Sequence, residues 1–525
     1  MNKLSIFFIL IIKISLSQPI IVDGFLTDWN PNTTIFTDDL GDSPGIDLLN
    51  FSVYNDEKNI YFRLKLNNEI DLTDSLDLLT YSKIRLFIDK DNNPQTGYPT
   101  NSIGSEYGID FQQKHIWDDI DYPNSIKKSF YWLNLVPLPS VTSNEFEISL
   151  DRSTFSDTIS FYFKDEVNND KMPNNEGFVY ILNNNTTSSL PIITFDKSDS
   201  LKIRLMSYNV RANGILDPSR REQIKNILKS TNSDVFTFNE TGNISLAEME
   251  TFFNEFSSTN WYMFKTNNGD ITVSKYPFSQ SFNNIDNKIG GNLIDLPDSI
   301  YSTDLLVLNG HLACCYSDIA RQISADKFIK FILDCKNGLI PLNTPFVFAG
   351  DMNLVGYREQ YETILNGTIS DTASFGIGGY PDWDNTPIVD LVCRFNEDNQ
   401  SYTWDKYNPS AGDYAPGRLD FIFYSNSVMS IDKSFTISTE HMSANFLSDN
   451  HLDINDTKEA SDHFPIVADL SVPLNSNLST NPLAPKTKKL IKIIDTMGRE
   501  TRPIPNTPLI YLYEDGSIEK KIILK

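Results

Sequence analysis

Several short apolar runs in the middle of this chain give way to residues that can do chemistry. Asn209 ends the run that starts at Leu201, Glu240 follows Val235 to Phe238, and His311 follows Leu305 to Leu308. Asp351 and Asn353 follow Phe346 to Ala349, and Asp462 and His463 stand just before Ile466 to Leu470. Singly these residues say little, because a lone Asp after a strand is usually a turn former or helix cap and a lone His is more often structural than catalytic. As a set at strand ends they are what a site built on a rigid sheet requires. Carboxylate and amide oxygens suit a hard cation such as Mg²⁺, and an imidazole held by a carboxylate moves protons near neutral pH. A second cluster, Asp89-Lys90-Asp91-Asn92-Asn93 followed by Thr96-Gly97, alternates the side-chain oxygens of Asp89, Asp91 and Asn93 in a Gly-closed loop, which suits Ca²⁺. It is no EF-hand, since no helical pattern flanks it and the terminal Glu is missing; an Asx-rich turn between strands stands beside the Ca²⁺ reading.

The elements that must position these residues change character along the 525-residue chain, which is long enough for more than one core. Residues 1–17 read as a cleaved signal peptide, with Lys3, an apolar run from Leu4 to Ile12, and small residues at Ser15 and Ser17. The run is too short to span a membrane and Lys13 interrupts it, so no transmembrane span is expected. Residues 18–195 show period-two alternation, as in Ile60, Phe62 and Leu64 against Tyr61, Arg63 and Lys65, and predict an all-β sandwich. Residues 200–473 alternate strand and helix patterns and predict an α/β domain. There Asp217 is expected to cap a helix that begins at Pro218 and carries the stripe Ile224, Ile227 and Leu228. Residues 474–485 form a linker rich in Asn, Ser and Pro, and residues 486–525 form a small β tail.

At these positions the middle domain resembles the endonuclease/exonuclease/phosphatase superfamily, which includes DNase I-like nucleases, abasic-site endonucleases, bacterial sphingomyelinases and inositol phosphatases. The resemblance is carried by Ser207-Tyr208-Asn209-Val210, Glu240, Asn309-Gly310-His311-Leu312 with Arg321 and Gln322, Gly350-Asp351-Met352-Asn353, Arg418-Leu419-Asp420, and Ser461-Asp462-His463-Phe464-Pro465. Asn239 stands where members commonly carry Gln. The resemblance implies a DNase I-like four-layer α/β sandwich and Mg²⁺ or Mn²⁺ held by Asn209, Glu240 and Asp462. It also implies that Asp351 orients or deprotonates the attacking water, Asn353 holds the phosphate, Asp420 fixes His463, and His311 donates to the phosphate or leaving oxygen. The expected activity is phosphodiester cleavage, with nucleic acid the leading substrate. A sphingomyelinase-like or phosphomonoesterase activity on the same residues is the first alternative. The inositol phosphatase signature is not evident, since Leu354-Val355 follows Asn353.

The first domain is similar to DOMON-like sandwiches related to family nine carbohydrate-binding modules, on Val22-Asp23-Gly24, Asp28-Trp29, Gly41-Asp42, Asp47, Asn55-Asp56 and the Asp89 loop. That resemblance makes glycan a possible partner and a surface glycan-binding protein the second alternative. The tail, with Leu490 to Ile494, Gly498-Arg499-Glu500, Leu509 to Tyr513 and Asp515-Gly516, looks like a type IX secretion sorting segment; a plain β-hairpin shares most of these features. Together with the signal peptide it places the protein outside the cell, released or at the cell surface, with the type IX machinery as a partner. The net charge of −25 argues against sequence-independent binding of polyanions through a basic face. The four cysteines, Cys314, Cys315, Cys335 and Cys393, leave a disulfide and buried free thiols both open. Asp382-Trp383-Asp384 and Tyr402-Thr403-Trp404 lie in the stretch before Arg418 where a substrate-facing loop could sit, with their aromatics read as packing and left out of the site, and His441 and His451 are read as surface loop residues.

Overall fold

The computed structural model describes residues 19–29, 34–74, 83–184, 190–406, 410–475, 490–494, 499, 501–503, 508–513 and 518–522. The expected signal peptide lies outside them, as does most of the linker. The chain forms two compact units, Met1–Leu296 with Thr303–Val472, and Pro297–Ser302 with Pro473–Lys525. No described helix is long and apolar enough to cross a membrane.

The alternating residues of the first region build two antiparallel sheets. One runs Thr34–Thr37, Leu48–Asn55, Asn59–Ile70, Ser143–Asp151, Val136–Leu138 in spatial order. The other runs Asp170–Met172, Thr158–Asp165, Ile84–Asp89, Tyr107–Asp110, His115–Asp118, Ile126–Lys128, with Phe178–Ile181 also pairing Thr158–Asp165. Ile60, Phe62 and Leu64 join Phe161, Phe163 and Ile148 in one core. The opposite face of the same strand presents Tyr61, which is buried in a separate cluster with Phe395, Tyr402 and Phe464 from the middle region of the chain. Period two thus gives this strand two apolar jobs, one per face.

The middle region holds two six-stranded sheets. The first is ordered Tyr262–Lys265, Ile271–Ser274, Val235–Asn239, Ile203–Asn209, Ile466–Ser471, Ser430–Thr436; the second Phe278–Asp286, Ile289–Ile294, Leu305–His311, Phe346–Asp351, Asp420–Tyr424, Val389–Asp390. Each has one parallel pair at its centre, Ile203–Asn209 with Val235–Asn239 and Leu305–His311 with Phe346–Asp351. Met206, Tyr208, Phe236 and Phe238 pack with Ile224, Ile227 and Leu228 of helix Arg221–Thr231 and with Phe252 and Phe253 of helix Leu246–Asn254. Leu306, Leu308, Phe346 and Phe348 pack with Phe328, Ile329 and Ile332 of helix Asp318–Asp334. The first helix is regular from Arg221 rather than Pro218; Asp217 still caps the turn before it, accepting from the Ser219 amide at 3.0 Å.

Arg204 and Asp469 face each other across paired strands, both fully buried, with Nε to Oδ1 at 2.6 Å and Nη2 to Oδ2 at 2.7 Å. The guanidinium also donates to the carbonyls of Phe195 and Thr231. Cutting one partner leaves a buried charge without its counterion, so Arg204→Ala is expected to cost about 3–5 kcal/mol in a urea unfolding series. All four cysteines are free, Cys314 and Cys315 exposed, Cys335 and Cys393 buried; burial pushes the latter two thiols up to about 12.

In the second unit, Leu490–Ile494, Pro508–Tyr513 and Ile518–Ile522 form a three-stranded antiparallel sheet, and Ile493, Leu509 and Tyr511 make its small core.

Candidate active site

Strand register brings the polar strand ends to one edge. Asn209 pairs with Asn239, His311 with Asp351, and Asp351 with Asp420, while Ser207 pairs with Ile466, two residues after the Asp462-His463-Phe464 segment. The two sheets are tied together there by amides. Asn239 donates to Asn309 Oδ1 at 2.9 Å and to the Gly310 carbonyl at 3.1 Å, and its own Oδ1 accepts from the Asp351 amide at 2.9 Å. The close strand approach needs Gly350, whose φ is +145° and where an added Cβ would sit 1.9 Å from the Gly310 oxygen.

His463 is the centre of the cluster. Its Nδ1 lies 2.8 Å from Asp420 Oδ2, its Nε2 is 3.7 Å from Asp351 Oδ2 and 3.4 Å from Asn209 Nδ2, and both His463 and Asp420 are buried. Burial opposes a charge on this imidazole, but the Asp420 and Asp351 carboxylates outweigh it and raise its pKa to about 10. Asp351 is raised, first by burial, then by Asp420, against the pull of His463. Asp420 is held in turn by Thr403, whose Oγ1 accepts from the Leu419 amide at 2.9 Å and the Asp420 amide at 2.8 Å. Asp351, Asp420 and His463 bring ligand atoms within 4.8 Å of one another. The short His463–Asp420 bond occupies the ring nitrogen and the carboxylate with each other, so this trio is read as proton-handling rather than as a metal cage.

Glu240 sits beside Asn209, which donates to its Oε1 at 3.1 Å and to Asp351 Oδ2 at 2.9 Å. Glu240 has φ +58°, and its Oε2 accepts from the Ala212 amide at 2.6 Å. Burial pushes this carboxyl up, yet the Ala212 amide, the Asn209 amide and the histidines win and hold it low, so it is an anion. Asp462 Oδ1 is buried without a hydrogen-bond partner, while Oδ2 lies 3.6 Å from Arg211 Nε. The Glu240 and Asp462 carboxylates offer hard oxygens that suit a small divalent cation, with Asp462 Oδ1 unmet, whereas Asn209 turns Nδ2 to Glu240 and gives Oδ1 to the Arg211 amide, so its amide would have to turn over to join them. His311 stands across the cluster, Nδ1 3.7 Å from Asp270 and Nε2 3.8 Å from Asp351; burial lowers and these carboxylates raise its pKa, with a net rise. Asn353 donates from its side chain to the Leu312 carbonyl at 3.1 Å, and its amide to Asp351 Oδ1 at 3.1 Å.

Residues 206–463 match the model of the Endonuclease/Exonuclease/phosphatase family. The match supports a phosphoester hydrolase. Among solved structures the chain is similar to the human Nocturnin catalytic domain with bound sulfate, at 12% identity and TM-score 0.34, covering 54% of this chain and 96% of that one. It is similar to the AP endonuclease LMAP from Leishmania major, at 12% identity and TM-score 0.33, covering 54% and 93%. A Staphylococcus aureus beta toxin variant with bound magnesium ions is similar at 18% identity and TM-score 0.28, covering 51% and 99%. No curated protein matches the chain.

Within the family domain, Asn209, Glu240, His311, Asp351, Asp420 and His463 are brought together by the contacts above, and Glu240, Asn353 and Asp462 line the same cavity as the two histidines. Three contributors escaped the sequence reading. Asp270, buried, accepts from the Glu240 amide at 3.1 Å and faces His311; its only local mark is a Gly-Asp step before the apolar run at Ile271. Thr403 fixes Asp420, and Trp404 lines the cavity, so the stretch read chiefly as packing does carry the substrate-facing loop that was its alternative. Tyr402 and Trp383 are packing residues, the latter donating to the Thr344 carbonyl at 2.8 Å. His451 is exposed, but His441 is not a surface loop residue. It lies in the turn Thr439–His441 with Ser438 Oγ at 2.8 Å and the Phe395 ring at 4.6 Å, because the apolar seam under that turn needs a ring.

In the sandwich, the Asp89 loop brings together Asp89, Asp91 and Glu106. Asn93 plays another part there, its amide donating to Asp89 Oδ1 at 2.9 Å and its Oδ1 accepting from the Gln95 amide. Glu106 is 2% exposed, its Oε2 takes the Lys90 amide, and its Oε1 has no hydrogen-bond partner. It lies in the bend just before the strand Tyr107–Asp110, 15 residues beyond Asp91 and outside the loop pattern.

Proposed function

We propose that this chain is an exported phosphodiesterase that uses Mg²⁺ or Mn²⁺, with the four-layer sandwich of residues 200–473 as its catalytic body and nucleic-acid strands as the first substrate to test. The observation that carries this reading is the buried Asp420–His463 pair, which meets Asp351, Asn209 and Glu240 at the mouth of one cavity. Glu240, Asn209 and Asp462 would hold the metal, which neutralises charge on the nonbridging phosphate oxygens when bound. Asp420 keeps His463 in one tautomer with Nε2 turned to the cavity. Asp351, anchored through its amide by Asn239, orients the attacking water, and Asn353 and His311 contact the phosphate.

Export through an N-terminal signal peptide on residues 1–17 and sorting by the tail of residues 486–525 complete the proposal, together with a sandwich of residues 18–195 open to glycan. The test is a panel of plasmid DNA, RNA, sphingomyelin and bis(p-nitrophenyl) phosphate with the purified protein in Mg²⁺, Mn²⁺ or EDTA. Metal-dependent turnover of at least one diester is expected; no turnover of any under either metal defeats the reading.

The Asp89 loop is proposed to hold Ca²⁺ through Asp89, Asp91 and the unmet oxygen of Glu106. Ca²⁺ at about a hundred times its dissociation constant would add about 2.7 kcal/mol of stability, so 1 mM Ca²⁺ is expected to raise the melting temperature by several degrees and Glu106→Gln to erase most of that rise. An unchanged melting temperature in differential scanning calorimetry would count against the ion.

A further inference from the structure

The β-sandwich forms one wall of the catalytic cavity. About 670 Å³ of space lies in front of His463, Asp351 and Glu240, and residues from both halves of the chain enclose it. On the sandwich side stand Leu72, Thr73, Pro137 and Pro139; on the catalytic side stand Leu312, Tyr316, Trp404 and Tyr414. At the rim, the Tyr414 hydroxyl donates to Asp74 of the sandwich and lies 3.4 Å from the Tyr316 hydroxyl, so a line of polar contacts spans the opening. Lys114 of the sandwich sits 4.1 Å over the Tyr414 ring.

This wall is built in. Val141 bridges to Gly356, the Thr142 amide donates to the Gly356 carbonyl at 2.7 Å, and the Arg358 amide donates to Thr142 Oγ1 at 3.0 Å. Ser140 Oγ accepts from the Arg418 amide at 3.2 Å, two residues before Asp420. Asn399 donates to Tyr61 Oη at 2.6 Å and to the Ile20 carbonyl at 2.7 Å, and Val22 bridges to Gln400. Trp29, Tyr61 and Leu138 share a buried cluster with Phe395, Tyr402 and Phe464.

Such a cavity has the size of a small-ligand pocket. Duplex DNA instead needs a broad, positively charged face, since specific interfaces bury about 1,000–2,500 Å² of protein and the duplex carries one charge per about 1.7 Å of axis. Here the sandwich closes one side of the cavity with Asp71 and Asp74, and the cations near them, Lys114 at 3.7 Å from Asp74 and Lys288 in the lining, are too few to meet the successive phosphates of a polyanion. The geometry points to a substrate with a single phosphodiester charge flanked by compact apolar or aromatic groups, engulfed between sandwich and catalytic residues, with duplex nucleic acid excluded. This assignment rests on the phosphodiesterase reading above and narrows its substrate.

The experiment compares bis(p-nitrophenyl) phosphate with supercoiled plasmid DNA on the full-length protein in Mg²⁺, at equal diester concentration. The small diester is expected to be cleaved at least about 100-fold faster per bond, and because p-nitrophenolate is also the better leaving group, the share of that ratio set by the cavity is the share lost in Tyr414→Ala. Thr73→Trp, which fills the sandwich side, is expected to raise KM for the small diester about tenfold with kcat little changed. Tyr414→Ala, which opens the rim, is expected to raise plasmid cleavage relative to the small diester. Plasmid cleavage as fast as that of the small diester overturns the assignment while leaving the phosphodiesterase standing. Failure of both substrates under Mg²⁺ and Mn²⁺ overturns the two together. A Thr73→Trp protein with wild-type melting temperature and wild-type KM also overturns the assignment.

Discussion

His463→Ala is expected to lower kcat on any diester the protein turns over by about 10³-fold or more, within the range that positioned acid–base groups contribute. The imidazole is buried with Asp420 at 2.8 Å and its other nitrogen directed at Asp351 and Asn209, so no neighbouring group replaces it. Asp420→Asn keeps the shape but loses the anion that holds the Nδ1–H and favours the imidazolium, and its kcat should fall between wild type and His463→Ala. Removing the His463 cation leaves Asp351 and Asp420 facing each other, so the melting temperature of each variant in Mg²⁺ separates loss of chemistry from loss of fold. Wild-type kcat in a folded His463→Ala protein would place the chemistry elsewhere.

Glu240→Ala is the second large effect. Glu240 is an anion at the cavity edge, held by the Ala212 and Asn209 amides, and it is the carboxylate that the remaining cluster least constrains by ion pairs. Loss of a ligand should exceed the 10–100-fold loss of metal affinity typical of changes one step further out, so the Mg²⁺ concentration for half-maximal rate should rise at least about 100-fold. EDTA should abolish wild-type activity, and Mg²⁺ should restore it. A Mg²⁺ titration of Glu240→Ala that overlays the wild type rules out Glu240 as a ligand.

Much of the candidate site was legible because it lies on strands. Asn209, His311 and Asp351 are the last residues of buried apolar runs and Asp420 is the first, so the run itself marks them, and pairing then sets them side by side. Period two in the first region likewise exposed the sandwich core through Ile60, Phe62 and Leu64. What the sequence hid is contact between distant segments. Glu106 replaces Asn93 in the acidic cluster because it directly precedes Tyr107, whose strand pairs with Ile84–Asp89, a proximity that loop spacing does not show. Thr403 and Trp404 lie in a loop whose pattern resembles packing, and one of the three residues there is indeed buried among aromatics while the next two serve Asp420 and the cavity. Tyr61 reads as the polar face of a strand but is covered by Phe395 and Tyr402, and the wall of the cavity follows from that covering.

Because Tyr61, Trp29 and Leu138 share one buried cluster with Phe395, Tyr402 and Phe464, the composition change near residue 195 is no place to cut the chain. A fragment starting there would present three aromatic rings to water and lose the hydrogen bonds that seat Arg418 and Arg358. Sandwich and catalytic body are therefore expected to melt in one calorimetric transition in place of two, and exchanging the sandwich for another module would require rebuilding the seam.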